Sequence, residues 1–366
     1  MKDIKFMQGD VRDKIKELEN HSIDCVVTSP PYWGLRDYGT AKWQGGDLNC
    51  SHSYGRNTRG GLTEFQKNNK GSFGDEAIKS GENCKLCGAK RIDEQFGLEP
   101  TYQDHIQNIV ELFRAMKPKL KDSATIWLNY GDCYATAKNG RDASNIVGDD
   151  RTFRNKPFTT IQGQLKNKDL VMMPNRIAIA LQDDGWWIRS EIIWHKPNPM
   201  PESIKDRPTS AHEKIWLITK SKKYYYDADA IKEPTTESTK QRYKSGWKGN
   251  EERDYVSGKQ NHFSKYIGTE KSKQDALKGR NKRNVWTITT KPFKAAHFAT
   301  FPPDLIEPCI KAGCPEGGVV LDPFSGAGTT GIVAKKFNRK AILIELNPDY
   351  NVIAKERINQ QFGMFV

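Results

Sequence analysis

The sequence predicts an α/β fold in which two insertions interrupt a doubly wound, mostly parallel sheet. Two stretches indicate this fold. One is an apolar run that ends in a Ser-Pro-Pro-Tyr turn, residues 23–32, and the other is an apolar run followed by a glycine-rich turn and a helix, residues 318–337. Both patterns are typical of a buried strand whose carboxyl end leads into a loop, and open α/β sheets bind ligands at that edge. A chain of 366 residues is long enough for one large core with insertions, or for two domains.

Apolar periodicity places the remaining elements along the chain. The predicted strands are residues 4–7, 23–27, 124–129, 191–194, 214–219, 318–321 and 341–344. The predicted helices are residues 11–18, 102–116, 172–183 and 332–337. Parallel strands joined by crossover helices give a doubly wound sheet. The strand 214–219 is expected beside 191–194, as an antiparallel edge.

The first stretch changes direction abruptly. The strand 23–27 is followed, after one threonine, by Ser29-Pro30-Pro31-Tyr32. Neither proline has an N–H group for the sheet, so the chain must leave it in a rigid, extended conformation. The Ser29 hydroxyl and the Pro30 carbonyl can then accept hydrogen bonds from an amino group, and the Tyr32 ring can stack on a planar base. Taken alone, the tetrapeptide is equally consistent with a turn that merely ends a strand.

The second stretch is a nucleotide-binding unit. An apolar strand, a glycine-rich turn at 322–331, a helix and a second strand that ends on Glu345 follow one another. A carboxylate at that strand end can bind ribose hydroxyls. Gly326 to Gly331 is a literal G-x-G-x-x-G, so an oxidoreductase that binds a dinucleotide is one interpretation. Asp322 argues against it, because a carboxylate there repels a pyrophosphate and suits a cation such as the ammonium group of S-adenosylmethionine.

Together the two stretches resemble the amino-methylating DNA methyltransferases, which are the N6-adenine and N4-cytosine enzymes. Their catalytic motif, Asp/Asn/Ser-Pro-Pro-Tyr/Phe, is matched by residues 29–32, and their cofactor loop, Asp-Pro-Phe-x-Gly-x-Gly-Thr-Thr, is matched by residues 322–330. The catalytic motif comes first, which is the permuted order of the family's β class. The resemblance therefore implies a sheet of the S-adenosylmethionine-dependent methyltransferase type. It implies these cofactor-binding residues: Asp10, Thr300, Phe301, Asp322, Phe324, Ser325, Gly326, Gly328, Thr329 and Glu345.

Two of these assignments depend on position alone. An acidic residue after the first strand faces the cofactor's adenine in the family, and Asp10 matches that place. Asp10 could equally cap the helix that follows, since Asp is a favoured N-cap. The segment 297–305, which contains Thr300 and Phe301, looks like the family's segment that closes over the methionine part of the cofactor.

A third motif, Pro308-Cys309, is the dipeptide of the C5-cytosine methyltransferases, whose thiolate attacks the base. We reject that chemistry for this chain. Cys309 lies within an apolar helical run rather than on a loop after a strand, and buried cysteines are usually inert.

Residues 41–94 interrupt the α/β pattern, because they are rich in Gly, Asn, Ser and Lys and have little to bury. They contain Cys50-x-His52 and Cys84-x-x-Cys87. Four such ligands suit tetrahedral Zn²⁺, and Cys-x-x-Cys-Gly is a common zinc knuckle. We expect a structural zinc ion that supplies a folding nucleus and has no catalytic role, since protein ligands fill all four positions. A disordered loop with incidental thiols is the alternative.

Residues 231–290 carry 14 Lys and Arg against 7 Asp and Glu. Aromatic residues are interleaved with these charges: Tyr243, Trp247, Tyr255, Phe263, Tyr266 and Trp286. This mixture suits phosphate neutralisation together with base contacts, and the family has its target recognition region here. A disordered basic linker is the alternative. The predicted division is a catalytic domain of three parts (1–40, 95–230 and 291–366, the last binding the cofactor), the zinc-binding insertion 41–94 and the target recognition region 231–290.

The composition limits which binding partners and which cellular compartment are expected. The formal net charge is +13, which favours a polyanionic partner, and the resemblance makes that partner double-stranded DNA. No apolar run reaches membrane-spanning length, and the polar start is unlike a signal peptide. Seven cysteines without an even framework indicate a reducing compartment, so we expect a cytoplasmic protein. The oligomeric state, the recognition sequence and a cognate restriction endonuclease as partner are left open.

The resemblance implies direct methyl transfer from S-adenosylmethionine to the exocyclic amino nitrogen of a flipped base, with no covalent enzyme intermediate. Serine at the first motif position goes mainly with N4-cytosine enzymes, and its hydroxyl can donate to the ring N3 of cytosine. N4 of cytosine is therefore the leading target, with N6 of adenine as the alternative. Two further interpretations stay open at this point: an RNA or protein methyltransferase, and a catalytically inactive nucleic-acid-binding regulator of the same fold.

Overall fold

The computed structural model describes residues 3–35, 40, 42–51, 83–84, 86–93, 95–136, 160–244, 274, 277–291 and 301–363. In these ranges the strands are β1 (Ile4–Gln8), β2 (Ile23–Thr28), β3 (Lys42–Gln44), β4 (Lys90–Ile92), β5 (Leu120–Tyr130), β6 (Trp187–His195), β7 (His212–Thr219), β8 (Val285–Thr287), β9 (Val319–Asp322) and β10 (Lys340–Glu345). The helices are α1 (Val11–Lys14), α2 (Tyr102–Met116), α3 (Met173–Asp183), α4 (Glu237–Lys244), α5 (Pro303–Gly313), α6 (Thr329–Lys336) and α7 (Pro348–Phe362). Every strand and helix predicted from periodicity has a counterpart among them.

Eight of the described strands form one sheet, in the order β1-β10-β9-β2-β5-β7-β6-β8. Its pairs are parallel except for the two that involve β7, which runs antiparallel to β5 and to β6. The predicted mostly parallel α/β sheet is thus confirmed. The prediction that β7 forms an edge is wrong, because β6 and β8 continue the sheet beyond it. With only three residues, β8 is too short to show a periodicity.

The middle of the sheet is covered on both faces. All six residues of β2 are buried, which is typical of an interior parallel strand. Helix α5 packs against β2 and β5, and α6 packs against β9 and β10. Because β2, β9 and β10 run parallel, their last residues Thr28, Asp322 and Glu345 lie at one edge of the sheet.

The chain divides into two compact units. The first comprises Met1–Ser29, Val110–Gly131 and Pro174–Val366, and it contains the whole eight-stranded sheet. The second comprises Pro30–Ile109 and Asp132–Met173, and it contains the antiparallel pair β3–β4. Among the described residues, the longest apolar helices fall short of what a bilayer crossing requires.

Candidate active site

The loop between β9 and α6 has the backbone conformation that its glycines predict. Gly326 has φ +48°, and a Cβ atom there would meet open space. Gly328 has φ +74°, and a Cβ atom there would lie 2.8 Å from the Ala354 Cβ of α7. The first glycine therefore leaves the loop open to a ligand, whereas the second lets α7 pack closely behind it.

Asp322 connects the end of β9 to the end of β2. It is buried, and its Oδ1 accepts hydrogen bonds from Thr28 Oγ1 at 2.9 Å and from the backbone N–H of Phe324 at 3.1 Å. Its Oδ2 accepts from Thr330 Oγ1 at 2.5 Å. Burial raises the pKa of Asp322 to about 6 despite these bonds. Asp322 thereby joins the strand that leads to Ser29 to the glycine-rich loop.

Glu345 lies at the end of β10 and bonds to the same loop. Its Oε2 accepts from the backbone N–H of Gly326 at 2.8 Å, and its Oε1 accepts from that of Asn347 at 2.9 Å. Burial raises its pKa, although these bonds oppose the rise. Each carboxylate oxygen retains a further lone pair, so Glu345 can accept hydrogen bonds from two neighbouring hydroxyl groups.

Two buried polar atoms in this region have no hydrogen-bond partner among the described residues: the Ser325 hydroxyl and Asn351 Oδ1. Buried polar groups are normally paired, so such atoms point to a missing ligand or water. Ser325 belongs to the cofactor loop, and Asn351 donates through its Nδ2 to the carbonyl of Glu345. The Ser325 hydroxyl, the Asn351 amide oxygen and the Glu345 carboxylate are suited to bind a ligand that carries ribose hydroxyl groups and an amino acid group, as S-adenosylmethionine does.

Asp10 follows β1, beside Glu345. The backbone N–H of Gly9 donates to the Glu345 carbonyl at 3.0 Å. Asp10 caps α1 by accepting from the backbone N–H of Arg12 at 2.8 Å, and it also pairs with the Arg12 guanidinium. Burial would raise the pKa of Asp10, but the bonds from Arg12 lower it below its ordinary value. The capping interpretation is therefore correct, and the position beside Glu345 is compatible with a second role toward a cofactor.

The other predicted cofactor residues have distinct surroundings. Thr329 Oγ1 accepts from the Arg357 guanidinium at 2.9 Å, and this group also donates to the carbonyl of Ala327 at 3.0 Å. Phe301 packs against the hydrophobic core, and Phe324 is half-buried. Thr300 lies outside the described residues.

Sequence reasoning missed three residues of this region: Thr28, Thr330 and Arg357. Thr28 directly precedes the first motif and Thr330 is the last residue of the second, so their hydroxyl groups were a signal that could have been used. Arg357 lies in α7 directly after Lys355 and Glu356, and a basic residue in such a charged run gives no such signal.

The Ser-Pro-Pro-Tyr segment begins where β2 ends. Thr28 is the last residue of β2, so its bond to Asp322 also fixes the start of Ser29. In the second unit, Tyr32 and the following Trp33 lie in a short turn in which the Leu35 N–H donates to the Tyr32 carbonyl at 3.3 Å. Trp33 is buried.

Three of the four predicted metal ligands come together in the second unit. The Sγ atoms of Cys50, Cys84 and Cys87 all lie within 4.8 Å of one another, and the Cys50 and Cys84 sulfurs are 3.8 Å apart. Two thiolates bound to one tetrahedral Zn²⁺ at about 2.3 Å stand about 3.8 Å apart. His52 lies outside the described residues.

The backbone around these cysteines has the form of a knuckle. Gly88 has φ +74°, and its N–H donates to the Cys84 carbonyl at 2.8 Å. A Cβ atom on Gly46 would lie 2.7 Å from Cys87 Sγ, so this glycine lets the chain pass close to the thiols. The three-thiol set thus fits a thiophilic metal such as Zn²⁺.

The thiol of Cys309 is inaccessible. It is buried within α5, where it donates to the carbonyl of Leu305 at 3.6 Å, and burial raises its pKa well above the ordinary range. A thiol in this state does not act as a nucleophile, which agrees with the rejection of C5 chemistry.

One aromatic residue of the basic region is misassigned by the sequence. Trp286 is a buried residue of β8 whose indole N–H donates to the Arg283 carbonyl at 2.7 Å, so it is a core residue and not a base-contacting one. The side chains of the other aromatic residues predicted there lie outside the described part of the chain.

Comparison with known proteins decides the family. Residues 23–356 match the DNA methylase family of N6 and N4 methyltransferases. The chain belongs to this family. It is 37% identical to the Type II methyltransferase M.XycI of Xanthomonas campestris pv. cyanopsidis over 97% of this chain and 88% of that one. It is 36% identical to the Type II methyltransferase M.SmaI of Serratia marcescens over 98% of this chain and 91% of that one.

The fold has a counterpart among solved structures. The cytosine-N4-specific PvuII DNA methyltransferase has a TM-score of 0.54 at 15% identity, over 99% of this chain and 92% of that one. The resemblance inferred from the two motifs is therefore confirmed. The protein is a site-specific, S-adenosylmethionine-dependent DNA methyltransferase of the amino-methylating type, and DNA is its substrate.

Proposed function

We propose that the enzyme methylates N4 of cytosine in double-stranded DNA. The observation that carries this proposal is Ser29 at the carboxyl end of β2, directly after the threonine that bonds to Asp322. A hydroxyl group can donate to the cytosine ring N3 while the Pro30 carbonyl accepts from the amino group, whereas an ionised aspartate in that position only accepts. The solved relative named as cytosine-N4-specific supports the same target.

The residues divide the work of binding as follows. Glu345 accepts from the ribose hydroxyls of S-adenosylmethionine, and the Ser325 hydroxyl contacts the same ligand. Asp322 is buried, so little of its carboxylate surface can contact the ligand. It instead holds the glycine-rich loop in position through its hydrogen bonds and places a negative charge near the ligand's ammonium group. Among the other predicted residues that the structure describes, Asp10, Phe301, Phe324 and Thr329 line or support this site. The cofactor supplies an electrophilic methyl group.

The catalytic segment holds the target base. The base must leave the duplex, because its amino nitrogen is otherwise paired and stacked. Tyr32 stacks on the flipped base, and the acceptors at Ser29 and Pro30 orient the lone pair of the amino nitrogen toward the methyl carbon that bound S-adenosylmethionine would supply. S-adenosylhomocysteine would be the leaving group, and the amino nitrogen would release one proton to water. Pro31 keeps this backbone rigid. The protein's contribution is thus positioning, which can supply a large part of the rate enhancement.

Product analysis tests the target base. DNA methylated by the wild-type enzyme should be digested to nucleosides and analysed by mass spectrometry. We expect N4-methylcytosine, because the Ser29 hydroxyl complements N3 of cytosine. N6-methyladenine without N4-methylcytosine would overturn the base assignment and leave the enzyme class intact.

We further propose a cognate restriction endonuclease as partner, since the relatives are named Type II methyltransferases. DNA isolated from cells that express the methyltransferase should then resist an endonuclease that cuts the same sequence. Cleavage at fully modified sites by every endonuclease of that specificity would contradict this part of the proposal.

We also propose that Cys50, His52, Cys84 and Cys87 hold one structural Zn²⁺. The sulfur separation of 3.8 Å supports it. Purified protein should contain about one equivalent of zinc by elemental analysis. Cys87→Ser should lose the metal while S-adenosylmethionine binding persists, because the cofactor residues belong to the other unit.

The matched control for the zinc experiment is Cys133→Ser, since Cys133 lies outside the thiol group and is also partly exposed. It should retain the full metal content. Active, folded protein without metal would contradict the zinc proposal.

A further inference from the structure

We propose that Gly97 and Glu99 are positioning residues that fix the backbone of the catalytic segment at Pro31 and Tyr32. The inference rests on the proposed role of that segment in holding the target base. Both residues belong to the second unit, as do Pro31 and Tyr32. Neither is part of the Ser-Pro-Pro-Tyr motif or of the cofactor loop.

Gly97 packs closely against the backbone of the catalytic segment. It has φ +90°, and a Cβ atom there would lie 2.9 Å from the carbonyl oxygen of Tyr32 and 3.3 Å from Pro31 Cβ. Its own carbonyl accepts from the backbone N–H of Gly34 at 2.9 Å. Residue 97 therefore packs against the segment at Pro31 and Tyr32 and bonds to the chain just after it, and only glycine fits both the conformation and the space.

Glu99 holds Gly97 in place. It is buried, and its Oε2 accepts from the backbone N–H of Gly97 at 2.8 Å and from His105 Nδ1 at 2.8 Å. Its Oε1 accepts from Asn108 Nδ2 at 3.0 Å. Burial would raise the pKa of Glu99, but the bonds from His105 and Asn108 lower it below its ordinary value. The carboxylate is thus ionised at neutral pH and anchored to α2.

A second contact runs from the catalytic segment to the same support. Trp33, which follows Tyr32, is 1% exposed, and its indole N–H donates to the backbone carbonyl of Glu99 at 2.9 Å. Its ring makes a T-shaped contact with the ring of Tyr102, the first residue of α2, with centroids 6.0 Å apart. The backbone of Pro31 and Tyr32 is therefore held by close packing against Gly97 and, through Trp33, by the carbonyl of Glu99.

This support matters because the proposed chemistry depends on placement alone. No protein group forms a bond to the substrate, so the rate follows the positions of the Pro30 carbonyl and the Tyr32 ring. A displacement of about 1 Å in such a site can lower the rate by about 10²-fold. A methyl group on residue 97 would force a shift of this kind, because the atom that it meets is backbone.

The test is Gly97→Ala in the full-length enzyme, by steady-state and single-turnover assays on DNA. We expect kcat to fall by about 10²-fold. The Kd for S-adenosylmethionine, measured by calorimetry, should stay within about twofold of wild type. An unchanged circular-dichroism spectrum and a cooperative thermal transition should show that the second unit, which contains residue 97, is folded. A kcat within about twofold of wild type would overturn the inference.

The matched control is Gly163→Ala. Gly163 belongs to the same unit and has φ +56°, yet a Cβ atom there would meet nothing within 4 Å. The two variants therefore share the strain of a left-handed backbone and differ in the contact with Tyr32. Equal losses of kcat in both would show a general effect of strain and contradict the positioning role.

A second pair of variants tests Glu99. Glu99→Gln keeps an oxygen acceptor for the Gly97 N–H, whereas Glu99→Ala removes it. We expect a higher kcat for Glu99→Gln than for Glu99→Ala. The Kd for S-adenosylmethionine should be similar in the two variants. Loss of cofactor binding in parallel with kcat would contradict the inference. If Tyr32→Ala were itself fully active, the proposed function would fail, whereas an inactive Tyr32→Ala beside an active Gly97→Ala would refute only this inference.

Discussion

Replacing Asp322 by alanine should weaken S-adenosylmethionine binding by about 10²-fold, since an interaction with a charged group is worth about 1.5–3 kcal/mol, and it should also leave three buried donors unpaired. The donors are Thr28 Oγ1, Thr330 Oγ1 and the backbone N–H of Phe324. Without the carboxylate, the glycine-rich loop loses its link to β2 and the ligand loses a negative charge. Calorimetric titration of the purified variant measures the effect directly.

Two variants complete this experiment. Asp349→Ala removes an exposed carboxylate at the start of α7 and should bind the cofactor as wild type does. Asp322→Asn keeps an acceptor but removes the charge, so its loss should be smaller than that of alanine. Binding by Asp322→Ala that equals wild type would show that Asp322 is dispensable for the cofactor site.

The raised pKa of Asp322 adds a pH dependence. Its pKa rises from 3.8 to about 6 on folding, so the folded protein binds this proton more tightly than the unfolded chain. The contribution of Asp322 to stability should therefore decline as the pH rises from about 4 to about 6. The difference in unfolding free energy between wild type and Asp322→Asn should change over that window and be constant above it.

Removing the catalytic side chains should abolish most of the activity while cofactor binding persists. Tyr32→Ala loses the ring on which the flipped base stacks, and stacking on an aromatic ring is worth about 1–3 kcal/mol per base. Ser29→Ala loses a donor and acceptor to the base. Single-turnover assays with labelled cofactor should show a rate about 10- to 10²-fold lower for Tyr32→Ala. The Kd for S-adenosylmethionine should be unchanged.

The Asp322→Ala and Tyr32→Ala variants should show opposite defects, which makes this prediction specific. Asp322→Ala should lose binding, and Tyr32→Ala should bind but not transfer. Tyr32→Phe is the matched control, because it keeps the ring and removes only the hydroxyl group. Full activity in both Ser29→Ala and Tyr32→Ala would exclude the assigned catalytic segment.

The sequence predicts those parts of the fold that have a local pattern. Interior strands such as β2 are mostly apolar runs. The turn at 322–331 has glycines at the positions where φ is positive, a conformation that other residues rarely adopt. The place of β7 inside the sheet was not predictable, because it follows from the pairing of β7 with β5 on one side and β6 on the other, which no local pattern records.

The site contains contacts that no local pattern reveals. Thr28 and Asp322 are 294 positions apart, so their bond follows only from the order of the strands. Arg357 reaches the cofactor loop from α7 in the same way, and Gly97 looks like an ordinary loop glycine until the chain is folded. Trp286 is an error of the opposite kind. Its basic neighbours in the sequence predict contact with DNA, whereas its side chain is buried in the core.

Direct transfer to an amino nitrogen is tested most directly with DNA that contains 5-fluorocytosine. A C5 methyltransferase becomes trapped on this base as a covalent adduct, because fluorine cannot leave as a proton does. The wild-type enzyme with methyl-labelled S-adenosylmethionine should instead place the label on N4 of 5-fluorocytosine, with no protein–DNA adduct on a denaturing gel. A denaturant-stable adduct, or label at a ring carbon of unsubstituted DNA, would contradict the account.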